Sequence, residues 1–439
     1  MHIKLNKSSQ LFLAAAASLL AALSVTACSQ ITQTLTVDFV YVLSSKAAGT
    51  NQYGEIDVFE INSESGRMRQ IPTSPFPSAG RNPVAEAVSS DNENLFVVNQ
   101  DDNTIVQFVV GSDGKVYPFN TVNTPGIYPL AVAVNKSNLF VLDTYEPLPL
   151  CSSADPCPGS VAVYPLTAGG ASASAPCTAT VCLGAPLVNS AVNGSYWPLT
   201  LNGASSTHVI VPTAVNVLAS GDDLFVAAYD SSVSPSVGYV FGFSVASGGA
   251  LSPLPGSPFA AGVRPSAIAS DLTSTYVYVT DSATAQVLGY SVASGSLAPL
   301  ASSPYPAGSQ PSAIVIDPTY PFAYVANAAD ATVEGYSMSN GGLTSIGTFT
   351  TGVDPVAIGI DPSTNHFLYT VDFLGNTVSD FELSTSAGTL IDAQFSPYPT
   401  AAQPVAVAAV PHNGTGAGIH ATAGRTDLLE HRTRSQHPE

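Results

Sequence analysis

The sequence predicts an all-β chain closed into a seven-bladed β-propeller of four-stranded antiparallel blades, and three observations carry that prediction. A proline followed two residues later by alanine recurs as Pro83/Ala85, Pro129/Ala131, Pro212/Ala214, Pro265/Ala267, Pro311/Ala313, Pro355/Ala357 and Pro404/Ala406. A short apolar run ending in an aromatic residue recurs at 56–59, 105–108, 161–164, 240–243, 287–290, 333–336 and 378–381. Most of the prolines lie 44 to 53 residues apart, which is the length of one four-stranded blade.

Within one period, 308–349, four runs rich in β-branched and aromatic residues alternate with Gly, Pro, Asn and Asp, the composition of short strands joined by turns. The first run of each period is the inner strand. Blades crowd at the axis, so the side chain that faces the next blade must be small there, which accounts for the alanine column. The strands read as apolar runs because both of their faces are covered.

The two ends of the array are out of phase. The run 39–42 matches a second strand with no inner strand before it, and Pro404-Val405-Ala406-Val407 is an inner strand with no blade after it. The C-terminal strand is therefore expected to complete the N-terminal blade and close the ring, which removes open sheet edges.

Before the propeller, Lys4 and Lys7 precede an apolar run and Val25-Thr26-Ala27-Cys28. A basic start, a short apolar core and small residues describe an export signal. The last four residues resemble a bacterial lipobox, which implies a signal at 1–27, lipidation of Cys28 and a tether at 28–36. Ser29 after the cysteine points to the outer membrane of a bacterial envelope. The propeller is expected at 37–410. The residues 411–439, polar and without β periodicity, are expected to be a disordered tail.

The third blade is longer than its siblings: 83 residues separate Pro129 from Pro212. The insertion, about 145–208, holds every cysteine other than Cys28. Local pairing, Cys151 with Cys157 and Cys177 with Cys182, is expected over the crossed alternatives, and oxidised pairs suit an exported protein. With no CxxC and no histidine at ligand spacing, no metal site is expected.

The formal charge is −19, with only 10% charged residues. Such a surface repels nucleic acid and anionic head groups and favours cations, neutral sugars or basic partners. A monomer without cofactor is expected, its partner a small molecule or an envelope protein.

Tyr324-Val325-Ala326-Asn327 and Tyr278-Val279-Thr280-Asp281 resemble the Tyr-Val-Thr-Asn signature of YVTN-repeat propellers. Together with Ser257-Pro258-Phe259 and Ser303-Pro304-Tyr305, they make roughly residues 35 to 410 similar to the lactonase family of seven-bladed propellers, relatives of 6-phosphogluconolactonase. The motifs are structural and specify fold more than activity. The Asn or Asp that ends the second strand in five blades (Asn99, Asp143, Asp281, Asn327, Asp372) is expected to cap the following turn.

Ligands of propellers meet the mouth of the central channel. That mouth is built from the segments before the inner strands, which offer Arg81, Tyr128, His208, Arg264, Gln310 and Asp354. Glu86 stands alone in a column otherwise filled by Val132, Val215, Ile268, Ile314, Ile358 and Val407. A carboxylate there must be paired, hydrated or raised in pKa. The leading expectation is ligand binding at the mouth without turnover. The alternative is hydrolysis of a non-phosphorylated lactone, with Glu86 as general base and Arg81 or Arg264 stabilising the oxyanion.

Overall fold

The computed structural model describes residues 36–45, 53–170, 177–201, 208–293 and 295–412. Its strands form seven antiparallel sheets arranged as the blades of a ring. Blade 2 shows the plan: Pro83–Val88 innermost, then Asn94–Asn99, Thr104–Val110 and Val116–Asn123. Blade 1 is made from both ends of the chain. Its inner strand is Pro404–Pro411, paired with Thr36–Ser44, followed by Glu55–Asn62 and Met68–Gln70. Val42 pairs with Val407 and Asp38 with Pro411, so the C-terminal strand closes the ring as expected and runs through Pro411.

The column reading is visible in the packing. Ala313 opposes Ala326, and both lie in the apolar layer between blade 6 and blade 7. Ile314 opposes Val325 and lies in the layer toward blade 5. The residue after each proline is a bulge: the pairing slips between Pro83 and Ala85, Pro265 and Ala267, Pro311 and Ala313, and Pro355 and Ala357. A bulge frees one residue from the ladder and re-aims its side chain. Two such residues fasten neighbouring blades, because Ser266 Oγ donates to the carbonyl of Pro311 at 2.5 Å and Ser312 Oγ to that of Pro355 at 2.6 Å.

Blade 3 absorbs its extra residues without losing its plan. The strands Ile127–Val134, Asn138–Tyr145, Ser160–Gly170 and Cys177–Leu183 form the sheet, and Trp197–Pro198 adds a short fifth strand. Cys177 and Cys182 thus lie in the fourth strand. Cys151 and Cys157 are bonded to each other. Cys182 is also disulfide-bonded, while the side chain of Cys177 is outside the described residues.

The signal at 1–27, Cys28, the tether up to residue 35 and the tail from 413 onward also lie outside the described residues. Among the described residues no helix is long and apolar enough to cross a membrane.

Candidate functional site at the channel mouth

Inner strands begin, and second strands end, at one end of the ring: Pro83 pairs with Asn99, Pro265 with Asp281 and Pro355 with Asp372. The backbone there is bent by residues in the left-handed region immediately before the proline: Asn82, Tyr128, Gln310, Asp354 and Gln403 have φ of 51°, 56°, 53°, 63° and 59°. The carbonyls of these turns tie down the second strand of the same blade, as in Gln100 N–H to Asn82, Ala328 N–H to Gln310 and Phe373 N–H to Asp354. The acidic residues ending the second strands reach further than the following turn. Asp281 takes the Ala283 N–H as expected, but also the N–H groups of Val263 and Arg264, and so fixes the segment before its own inner strand.

The sequence-predicted residues do not converge on one pocket. Arg81 is exposed and engaged by Asp102, which accepts from its backbone N–H at 2.7 Å and from Nε at 2.6 Å. Gln310 is exposed on blade 6, and Asp354, on blade 7, is buried. Tyr128, His208 and Arg264 occupy blades 3, 4 and 5, and these three belong to a continuous stretch of the rim.

Glu86 is a correction. It is 2% exposed, opposes Val97, and lies on the face turned toward blade 1, the face of Val88, Leu95 and Val97. Neither carboxyl oxygen has a hydrogen-bond partner. Burial holds its pKa well above the ordinary carboxylate range. The group is buried between blades, and among the described residues it raises the pKa of the equally buried Tyr41 phenol, where burial acts first and Glu86 second. A base must reach the proton it removes, and Glu86 has no opening to a substrate.

The rim over blades 3 to 5 has the chemistry that Glu86 lacks. His208 lies just before Ile210–Val217, the inner strand of blade 4, and Asp230 ends Asp223–Asp230, the second strand of that blade. Their side chains meet, Nδ1 to Oδ2 at 2.5 Å. Asp230 is 1% exposed overall. Burial works to raise its pKa, but the Ser232 and His208 hydrogen bonds outweigh it and leave the pKa lowered. Ser232 gives its N–H and Oγ to Oδ1, so the carboxylate is fixed from both sides. In the tautomer with its proton on Nδ1, His208 donates to Asp230 and Nε2 is the lone-pair acceptor. Nε2 has no hydrogen-bond partner among the described residues.

Next to this pair sits an aromatic surface. Tyr128 and Tyr145 meet edge to face at 6.1 Å. Burial raises the Tyr145 pKa, and the nearby phenols of Tyr128 and Tyr229 raise it further, which places all three rings within electrostatic reach. Arg264 lies 5.1 Å above the Tyr229 ring and gives Nη2 to its hydroxyl at 3.4 Å. Glu146, one residue past the second strand of blade 3, is 7% exposed, and burial pushes its pKa up to about 7. Cys151 and Cys157 close the loop that carries Glu146. Tyr145, Glu146 and Tyr229 were not singled out by sequence. They are unique to their blades, and no column marks them.

No group of three or more His, Cys, Asp or Glu with metal-holding geometry occurs among the described residues. The mouth can offer the half-buried Tyr128 ring to a small ring and neutralise an oxyanion or carboxylate with Arg264, which lies over Tyr229. It can also take a proton onto His208.

Comparison with known proteins agrees with the architecture. Residues 190–404 match a family model described as lactonase, 7-bladed beta-propeller. No curated protein matches the chain by sequence. Among solved structures, a protein from Bacteroides fragilis provisionally described as a 6-phosphogluconolactonase is 18% identical over 86% of this chain and 99% of its own, with a TM-score of 0.66. A similar assignment from Bacteroides uniformis is 17% identical over 85% and 99%, at 0.63. A periplasmic gluconolactonase from Pseudomonas aeruginosa is 17% identical over 85% and 99%, at 0.62. At such identities the likeness is one of fold.

Proposed function

We propose that this seven-bladed propeller, whose residues 190–404 match the lactonase family, binds a non-phosphorylated lactone at the mouth over blades 3 to 5 and opens it by hydrolysis. The observation that carries the reading is the His208–Asp230 contact beside the Arg264–Tyr229 stack. His208 Nε2 takes a proton from water as the water oxygen bonds to the lactone carbonyl carbon. The tetrahedral oxyanion that forms is stabilised by the Arg264 guanidinium. Collapse breaks the ring C–O bond, and the imidazolium returns its proton to the departing alkoxide. The product is an open-chain hydroxy acid. Water is the only co-reactant.

A non-phosphorylated substrate is preferred because Arg264 stands in a protein of formal charge −19, which disfavours a dianion. The gluconolactonase from Pseudomonas aeruginosa is a periplasmic relative in fold, in keeping with the export signal read from the first 27 residues. Lipidation at Cys28 would tether the chain to a bacterial envelope membrane, and the geometry would then orient it. Thr36–Ser44 runs toward the mouth, so the tether joins the opposite end of the ring. Eight residues reach about 28 Å at most, which holds that opposite end near the bilayer and turns the mouth away from it.

Binding without turnover is the second reading, favoured by the aromatic surface, which suits a sugar ring whatever its fate. Hydrolysis of a five-membered aldonolactone, followed by proton release, separates the two. Turnover is expected in the unmodified protein and in Glu86→Gln, with a loss of about 10²- to 10⁴-fold in His208→Ala, the range of a single general base. Saturable lactone binding without turnover leaves the binding reading alone. Turnover undiminished in His208→Ala removes the proposed base.

A further inference from the structure

The far end of the central channel holds a cavity of about 740 Å³, lined by the closing halves of the inner strands of blades 3 to 6 and the turns that follow them. It is remote from the mouth: Pro129 and Pro212 stand near the start of these strands, and Asn135 and Leu218 lie past their other end. Its volume falls within the range of small-molecule sites, about 300–1,000 Å³. Its apolar lining comprises Val215, Ile268, Ile314 and Ile316, each under 10% exposed and packed between blades, and the more open Val217, Leu272 and Pro318, which a ligand would meet.

Polar side chains line the cavity too, Asn135, Asn138, Ser220 and Ser270 among them, together with Asn216, Lys136 and Asp222. Asn216 lines the cavity with a buried Oδ1 that has no hydrogen-bond partner. Lys136 stands at its edge on the turn of blade 3 and is exposed. Asp222 lines the edge from blade 4. Other described cations are engaged: Arg69 by Glu60, Arg81 by Asp102, Lys115 by Asp113, Arg67 by the Phe395 ring and Arg264 by the Tyr229 ring. The Lys136 ammonium has neither ion pair nor ring among the described residues. In a chain with many more acids than bases, an unpaired cation at the lip of an apolar cavity marks where a negative head group would rest.

We infer that this cavity is a second binding site, separate from the mouth, for a medium-chain carboxylate. Its alkyl chain enters the apolar wall and its carboxylate meets Lys136. An alkyl chain binds more tightly with each CH₂ that it buries. An anion at the lip gains a charge-assisted contact from Lys136 and is opposed by Asp222. The two residues therefore have opposite effects on the same ligand.

The test is titration calorimetry of the intact protein with sodium decanoate, and with decanol as the uncharged control. Saturable binding of one decanoate per chain is expected, with decanol weaker. Lys136→Ala is expected to weaken decanoate about tenfold without changing decanol. Asp222→Asn is expected to tighten decanoate. Leu272→Asp, at an exposed lining position, is expected to weaken both ligands without threatening the core. Absence of saturable uptake overturns the site, and so does equal decanoate affinity in Lys136→Ala and the unmodified protein. The inference does not depend on chemistry at the mouth: His208→Ala is expected to bind decanoate normally, and loss of binding in that variant would also overturn it.

Discussion

The hydroxyl of Tyr324, on the second strand of blade 6, donates a 2.9 Å hydrogen bond to the carbonyl of Gly388, in the hairpin turn of blade 7. The same latch joins Tyr278 to Gly341 and Tyr41 to Gly114, each at 2.9 Å. Each accepting glycine has a positive φ, and a Cβ built on it would meet a neighbouring aromatic ring, so glycine is required on both counts. The tyrosine of the recurring Tyr-Val signature is therefore a connector between blades.

Tyr324→Phe removes that donor and leaves a buried carbonyl unpaired. A loss of about 1–3 kcal/mol is expected, read as a lower denaturation midpoint with unchanged slope. Tyr369 holds the matching position in blade 7, but its hydroxyl is buried without a partner. Tyr369→Phe is expected to be neutral or stabilising. An equal loss in both variants would show that the latch contributes nothing beyond packing.

Ring closure carries a sharper expectation. The strand Pro404–Pro411 supplies the inner strand of blade 1 and packs against blades 2 and 7. A chain ending before Pro404 leaves the second strand of blade 1 with a bare edge and a buried apolar face exposed. Its thermal unfolding is expected to lose cooperativity. A single sharp transition at the full-length midpoint would contradict the closure.

Stability should fall as pH rises from about 4 to about 8. At the seam, Asp38 is fully buried, accepts from Ser363 Oγ at 2.5 Å, and has its pKa raised to about 8 by burial first and by Asp361 second. Burial likewise raises Asp143 to about 8. An acid whose folded pKa exceeds its unfolded value near 4 holds its proton more tightly when folded. Its contribution is complete below pH 4 and is lost as pH climbs toward 8. Asp38→Asn cannot ionise, and its amide can donate to the Asp361 carboxylate. Its midpoint is expected to exceed that of the unmodified protein at pH 9 and to vary less between pH 5 and 9.

Most of the fold was legible in the sequence because a propeller repeats its constraints. Proline stands at or within two residues of the start of every inner strand, alanine follows where blades converge, and the unpaired ends at Phe39 and Pro404 announce closure. The site was legible only in part. His208 and Arg264 precede inner strands and Tyr128 lies in the first residues of one, and that position alone placed them at the mouth. Tyr145, Glu146 and Tyr229 break no column and gave no signal. Glu86 did break a column, but column position gives distance along the strand and not what the facing blade presents. The far cavity was hidden for a related reason: Val215, Ile268 and Ile314 read as core, and a channel lining has the same composition as a core.

Glu86 therefore has a structural prediction of its own. An unpaired buried carboxyl costs about 1–3 kcal/mol relative to a satisfied or apolar group. Glu86→Val restores the residue type found in three sibling blades at Val132, Val215 and Val407. A higher midpoint with unchanged lactone binding is expected. Lost binding would return Glu86 to the functional site.

Arg264 gives the closest test of the mouth. Its guanidinium is planar, lies over the Tyr229 ring and presents donors along its edge. A lysine keeps the charge but cannot reproduce that stacked, multidonor geometry. Arg264→Lys is expected to weaken lactone binding by about tenfold, in line with one lost charge-assisted contact. If Arg264 also meets the oxyanion, kcat falls together with kcat/KM. If it holds only the ground-state ligand, KM rises and kcat stays. Binding unchanged in both Arg264→Lys and Arg264→Met would move the ligand site away from blades 4 and 5 altogether.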